Sequence, residues 1–515
     1  MANFKYEPGK DPFASDIHFS QTGEWEQTSL SSTTAVWESG DFKIVIGGTG
    51  LTAAGGGTIT SVKVYEVDLS GAAPANVLVM SSTSALSYSF SQLLAAIASD
   101  DFTFQLPAYV LKGSDSLTGS ASDDQMAGYG GNDTIVGGDG NDYLIGDSFD
   151  AEAPFGNDSL VGGNGVDYLD GGGGGDRMAG GTGDDDYVVT DATDVVIEVA
   201  GQGLYDRVSF SDARGLASYT LAANVENLDV SHGNSAVAVL TARGNGSANK
   251  ITVEPSYDFG SGTVGREVLY GLGGNDRLFA ANGNDTLDGG TGNDSLYGGT
   301  GNDTFVVDSA SDKIYETSTL PTEIDTMNAG VTWTLGANLE RLTLTGTSAL
   351  NGNGNALANT LTGNAAANSL NGGSGNDTLN GGSGNDVLNG STGNDLLIGG
   401  LGNDSLTGGT GLDNFRFAST LSGTANVDRI TDFVGADDRI ELDDAVFAAV
   451  GPAGALSAAA FHAGTAAVDA SDRVIYNAAS GQVLYDADGN GAGAAVVFAT
   501  VAANTAISVA DFWVV

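Results

Sequence analysis

In three stretches of the chain one apolar residue returns at every ninth position, set among glycine, asparagine and aspartate. In residues 372–416 these are Leu379, Leu388, Leu397, Leu406 and Phe415, with Leu361 and Leu370 leading in. In residues 262–305 they are Leu269, Leu278, Leu287, Leu296 and Phe305. In residues 113–187 they are Leu117, Met126, Ile135 and Leu144, then, after a seven-residue insertion around 148–154, Leu160, Leu169, Met178 and Tyr187. An apolar residue between two polar neighbours predicts a minimal strand with its middle side chain inward. The six residues before each strand follow Gly-Gly-x-Gly-x-Asp, whose glycines permit a tight turn. Only Ser391 breaks the second glycine position in the third stretch. A fixed nine-residue period predicts a solenoid. A flexible Gly/Asn/Asp linker would have no need of the phased apolar residue.

Outside these stretches the pattern changes. Residues 1–110 alternate apolar and polar positions at 33–45 and 58–69, which predicts strands, and residues 91–99 (SQLLAAIAS) predict one short helix. Residues 189–265 and 306–354 are spacers that repeat each other: YTLAANVENL against WTLGANLERL, TDATDVVIEV against DSASDKIYET. Their alternating Leu, Val and Thr predict strands that continue the solenoid with little metal. Residues 417–515 predict strands at 429–433, 439–442, 473–476 and 482–485. The expected organisation is therefore 1–110, a small β-rich module; repeat blocks at 111–188, 266–305 and 355–416; spacers at 189–265 and 306–354; and a β-rich domain at 417–515.

Sixth in each nonapeptide stands a carboxylate. The aspartates are Asp115, Asp124, Asp133, Asp142, Asp158, Asp167, Asp176 and Asp185; Asp276, Asp285, Asp294 and Asp303; and Asp377, Asp386, Asp395, Asp404 and Asp413. Glu267 takes this place once, and Asn359 and Asn368 take it in the leaders of the third block. A glycine turn lined with carbonyls plus such carboxylates suits calcium, a hard cation wanting six or more oxygens, better than magnesium with its small octahedral shell. The seventeen aspartates are the candidate metal ligands.

These nonapeptides resemble the RTX, or haemolysin-type calcium-binding, repeat. The resemblance implies an all-β fold: a calcium-bound parallel β-roll solenoid, here flanked by a small β-rich N-terminal domain and a β-rich C-terminal domain. Two nonapeptides would make one turn, with several calcium ions between successive turns on the same edge. Asp115 would then work with Asp133, Asp124 with Asp142 and Asp377 with Asp395, while Asp413, at the end of its block, would have a neighbour on one side only. VDRITDFVGADDRIEL and the following segment resemble the C-terminal part of serralysin-type proteins. The ending Asp511-Phe512-Trp513-Val514-Val515 looks like the uncleaved signal of type I secretion in Gram-negative bacteria, which implies an extracellular or cell-surface protein.

Composition narrows the classes. A net charge of −47, from 18 basic and 65 acidic residues, and a pI near 4.1 speak against nucleic-acid binding and suit a cation-loaded protein. There is no cysteine, so neither disulfides nor thiol chemistry is available. The N-terminal residues carry no basic region followed by an apolar run, and no stretch has the length of a transmembrane helix.

The sequence presents no catalytic constellation. The H-E-x-x-H zinc helix of serralysins is absent, and His18, His232 and His462 fall in three different modules. Gly146-Asp147-Ser148-Phe149 matches an esterase block only faintly, and the N-terminal module is small for a carbohydrate-active enzyme, with Glu24 and Glu38 as the carboxylates such an enzyme would use. The run 486–491 (DADGNG) matches the start of an EF-hand loop, but Val497 stands where the bidentate glutamate belongs, so it reads as a tight turn, with a weak calcium site as the alternative. The expectation is a secreted, non-enzymatic, calcium-dependent structural protein of a bacterial surface layer, filament or matrix. Its open solenoid ends favour head-to-tail self-association. The alternatives are a calcium-dependent adhesin or binder of cell-surface glycan, and a small polysaccharide-active enzyme.

Overall fold

The structure is a computed structural model. It describes residues 114–119, 121–147, 155–211, 215–231, 239–254 and 265–515, and seven strands nearer the N-terminus: Ile17–His18, Glu26–Leu30, Thr34–Ser39, Phe42–Thr49, Thr58–Glu66, Val77–Ser82 and Thr103–Phe104. The helix expected at 91–99 lies outside the described residues. Among the described residues there is no α-helix, only 3-10 turns at Ala458–Ala460 and Val509–Asp511. Among these residues no helix is long and apolar enough to cross a membrane. The chain divides into two compact units, Met1–Ser256 and Tyr257–Val515.

In the first unit the nonapeptide strands alternate between two parallel walls. One wall contains Asp115–Thr118, Thr134–Asp139, Ser159–Asn164, Arg177–Thr182 and Val195–Ile197. The other runs from Gln125–Tyr129 through Tyr143–Asp147, Tyr168–Asp170, Asp186–Val189, Arg207–Ser211 and Asn227–Ser231 to Lys250–Val253. Each apolar residue lies in register with the one a turn away: Leu117, Ile135, Leu160 and Met178 on one wall, Met126, Leu144, Leu169 and Tyr187 on the other. The seven inserted residues leave this register intact, because Ile135 pairs directly with Leu160.

The N-terminal module is an antiparallel meander of five strands from Glu26–Leu30 to Val77–Ser82. Its last strand pairs antiparallel with the first strand of the coil, Ser82 opposite Asp115 and Val79 opposite Thr118. The meander therefore covers the donor and acceptor row that a parallel coil would otherwise leave open.

The second unit is built the same way. One wall runs from Glu267–Tyr270 through Thr286–Asp288, Thr304–Val307, Thr326–Ala329, Arg341–Leu344, Thr360–Thr362, Thr378–Asn380, Leu396–Ile398 and Asn414–Phe417 to Arg439–Leu442. The final strand, Phe512–Val514, adds to it in parallel, Phe512 opposite Ile440. Opposite lies a wall that includes Ser369–Ser374, Val387–Thr392, Ser405–Thr410 and Asp428–Ile430. Val496–Thr500 joins it in parallel and carries the antiparallel strands Gln482–Tyr485 and Val474–Asn477.

The core changes along the coil. In the blocks it is a single file of inward residues, each fully buried. Several spacer strands carry two inward residues, as in Val208/Phe210, Leu228/Val230 and Leu342/Leu344. Near the C-terminus Phe417, Phe447 and Phe498 pack edge to face, with ring centroids 5.0 Å apart. Leu397 lies between Leu379 and Phe415 in register, with no exposed surface. Leu397→Ala should therefore cost about 2–5 kcal/mol, whereas Leu396→Ala on the outward side should cost less than about 1 kcal/mol. Urea denaturation of both variants in saturating calcium checks this; equal losses would mean that position eight is not the core.

Candidate metal centre

The turn before each strand assigns its residues different tasks. Positions two and four have positive φ, as at Gly382 (94°) and Gly384 (123°), where a side chain would strain the backbone. Ser391 takes the second position at φ 77°. Position one needs glycine for space instead. A Cβ at Gly381 would lie 2.4 Å from Asp386 Oδ2 and 2.5 Å from the carbonyl oxygen of Gly399 in the next turn; at Gly390 the figures are 2.2 Å to Asp395 Oδ2 and 2.6 Å to the Gly408 carbonyl. Absence of the methyl leaves a small cradle lined by a carboxylate oxygen and a neighbouring turn's carbonyl.

The sixth-position aspartates form ladders. The N–H of Asp377 donates to Asp395 Oδ1 (2.8 Å), and the N–H of Asp395 donates to Asp413 Oδ1 (2.9 Å). The same bond links Asp115 to Asp133, Asp124 to Asp142, Asp158 to Asp176, Asp167 to Asp185, Asp276 to Asp294, Asp285 to Asp303 and Asp386 to Asp404. Across the insertion it links Asp133 to Asp158 and Asp142 to Asp167. All seventeen candidates thus stand in ladders; sixteen are buried, and Asp124 is half-buried.

Wherever a ladder bond arrives, it engages one oxygen of the receiving carboxylate. The other, Oδ2, is buried without a hydrogen-bond partner in Asp133, Asp142, Asp158, Asp167, Asp176, Asp185, Asp285, Asp294 and Asp303, and in all five aspartates of the third block. The asparagines at the same position behave differently. Asn359 accepts from the N–H of Asn355 (2.7 Å) and donates through Nδ2 to the carbonyl of Leu339 (3.1 Å). Asn368 does the same with Asn364 and Leu350. An amide closes its turn unaided because it has a donor; a carboxylate has none, and its spare oxygen calls for a cation.

The ladders run further than the nonapeptides. Asp176 continues to Asp194, Asp185 to Asp206, Asp294 to Asp312, Asp303 to Asp325, Asp404 to Asp428 and Asp413 to Asp438. Asp413 therefore has a neighbour on both sides, against the expectation of one. Asp194 and Asp312 keep the eighteen-residue spacing of the coil, a signal that was present in the sequence once the glycine frame stopped. The remaining four follow loops of unequal length.

The other singled-out groups lie apart from this arrangement. Asp147 is buried and accepts from the N–H groups of Gly156 and Gly173 on the far side of the insertion. Ser148, Glu24 and His232 lie outside the described residues. His462 Nδ1 is 3.9 Å from Asp472 Oδ2. The 486–491 turn is braced internally: Asp486 Oδ1 accepts from the Asp488 N–H, and Asp488 Oδ2 from the Gly493 N–H.

Residues 111–150, 155–187, 261–296, 279–314, 353–388 and 381–415 match the RTX calcium-binding nonapeptide repeat (4 copies). These segments are RTX repeats, and their ion is calcium. Such repeats are typical of secreted, extracellular proteins. No curated protein matches the chain.

Burial raises the carboxyls well above their ordinary range, with backbone N–H donors offsetting part of the effect. Asp133 and Asp176 are pushed up to about 8, Asp158 and Asp303 to about 7, and Asp386 and Asp395 to about 6. A carboxyl raised in the folded state stabilises that state fully below its unfolded value of about 3.9, and the contribution is lost as pH rises through the folded value. The metal-free coil should therefore show its strongest β signal near pH 4 and lose it between about pH 6 and 8, whereas millimolar calcium should retain it at pH 8. Far-UV circular dichroism in chelator and in calcium checks the sign; a chelated β signal that grows from pH 4 to 8 contradicts it. Because Asp395 and Asp413 each have two ladder neighbours, Asp395→Asn and Asp413→Asn should lower bound calcium equally, as read by equilibrium dialysis.

Proposed function

We propose that this chain is a secreted structural protein of a bacterial surface layer, extracellular filament or matrix, without enzymatic activity, folded by calcium held at the seventeen sixth-position aspartates. One observation carries the reading: among the described residues, most of the buried carboxylates stand in repeated ladders. A catalytic site needs convergent groups of different chemistry, whereas a ladder supplies the same group at every turn and so builds length. The asparagine contrast supports calcium at the aspartates, since the two residue types share a position and differ in whether an oxygen is left over.

Export by a type I system from a Gram-negative cell belongs to the same reading, with residues 417–515 as the serralysin-like terminal part. At low cytosolic calcium the carboxylates repel one another and the chain stays unfolded; outside, calcium at the 10⁻⁴–10⁻³ M order of extracellular modules folds it. Head-to-tail association of the two ends is the assembly proposed. The outer aromatic ladder Phe279–Tyr297–Tyr315 gives little support to glycan binding, because its rings stack on one another at 4.3 Å and so cover the faces a sugar would need.

Electron microscopy of the full chain tests the proposal. In millimolar calcium it should form ordered filaments or lattices that disperse in chelator. Single dispersed particles at saturating calcium would sink the structural role, and turnover in a polysaccharide and ester panel would sink the non-enzymatic one.

A further inference from the structure

We propose that each of the first two blocks is joined to the spacer after it by a calcium site of a second construction: Asp185, Glu198 and Asp206 in the first unit, and Asp303, Glu316 and Asp325 in the second. Within each set one carboxylate oxygen from every residue lies within 4.8 Å of the others. The glutamates belong to no nonapeptide, and the arrangement occurs twice, at matching places in the two long repeats.

The cradle at position one shows what the glutamate replaces. Inside a block the carboxylate Oδ2 faces the carbonyl of the next turn's first glycine, as Asp386 faces Gly399. At the seam no Gly-Gly turn follows. The Cβ point of Gly298 lies 2.4 Å from Asp303 Oδ2 and 2.9 Å from Glu316 Oε2, so a charged oxygen stands in for the neutral carbonyl. Asp325 Oδ1 accepts from the Asp303 N–H at 2.7 Å and so carries the ladder through the site.

An independent feature points to an ion. Asp303 and Asp185 are 1% and 0% exposed, and the Oδ2 of each is buried without a hydrogen-bond partner. Glu316 Oε2 is likewise buried and unpartnered, while its Oε1 takes the N–H of Ser318 (2.8 Å). Among the described residues no lysine, arginine or histidine pairs with any of the six carboxylates. Three converging buried anions are costly to hold together without a cation. Since calcium affinity rises with ligand charge, these sites should fill before those of the blocks.

The two copies differ in the aromatic residue beside the glutamate. In the first, Tyr187 donates its hydroxyl proton to Glu198 and accepts from the Gly180 N–H. In the second, Phe305 has no hydroxyl, and Glu316 keeps its oxygen free for the ion. The second site is therefore the tighter.

Calcium titration calorimetry on the full chain, starting metal-free, tests this. Glu316→Gln should remove one equivalent from the tightest class, and Glu198→Gln with Glu316→Gln two, each weakened about tenfold or more. Asp395→Asn should instead lose calcium from the weaker class. Tyr187→Phe should strengthen one equivalent and Phe305→Tyr should weaken one. If the double glutamine variant keeps the number and affinity of the tight sites while Asp395→Asn loses calcium, the seam sites do not exist although the block sites do. Should the double variant fail to fold in saturating calcium, unchanged isotherms for Tyr187→Phe and Phe305→Tyr would overturn the proposal.

Discussion

Everything in the coil depends on a buried carboxylate with one oxygen satisfied and one left over. The satisfied oxygen ties each turn to its neighbour through a backbone N–H, as from Asp377 to Asp395. The remaining oxygen makes the same residue costly to bury, and that cost recurs at every turn. Apolar packing is too thin to offset it. A block contributes one buried apolar side chain for every nine residues whose backbone must be ordered. Calcium thus acts as part of the core, and removing it takes away both the attraction between turns and the neutralisation of their charge.

Blocks and spacers are two solutions within the same pair of walls. In a spacer, strands such as Arg207–Ser211 and Arg341–Leu344 carry two inward apolar residues and the turns carry fewer carboxylates. In the leaders of the third block, Asn359 and Asn368 close their turns with an amide. Within the second unit the inward positions stay in register from block through spacer to block, Leu287 with Phe305, Met327, Leu342, Leu361 and Leu379. The buried seam carboxylates Asp185 and Asp303 mark where one solution hands over to the other.

The nine-residue phase made the parallel coil and its seventeen aspartates legible, because apolar residue, glycines and carboxylate all obey one period. Where loops vary in length the period fails as a guide. Asp206, Asp325, Asp428 and Asp438 join the ladders from 21 to 25 residues beyond their partners, a spacing that no fixed repeat reveals. Glu198 and Glu316 were hidden for a related reason, since their role rests on a turn that is absent. The antiparallel attachment of Val77–Ser82 to Asp115–Thr118 was equally illegible, since alternation shows that strands exist but not which edge they cover.

The strand Phe512–Val514 shows how far the influence of the ladders reaches. In the folded chain Phe512 and Val514 are buried and pair with Arg439–Leu442, and Asp511 is buried beside them with its Oδ2 accepting from the Ser508 N–H. Only Trp513 faces outward, under the Arg439 guanidinium. Phe512–Val514 pairs with a strand whose other neighbour, Asn414–Phe417, belongs to the last nonapeptide, and the ladder from Asp413 passes to Asp438 next to that strand. Closure of the tail is thus coupled through one sheet to the calcium sites of the third block. The ion that builds the coil would therefore also hold this last strand in its sheet.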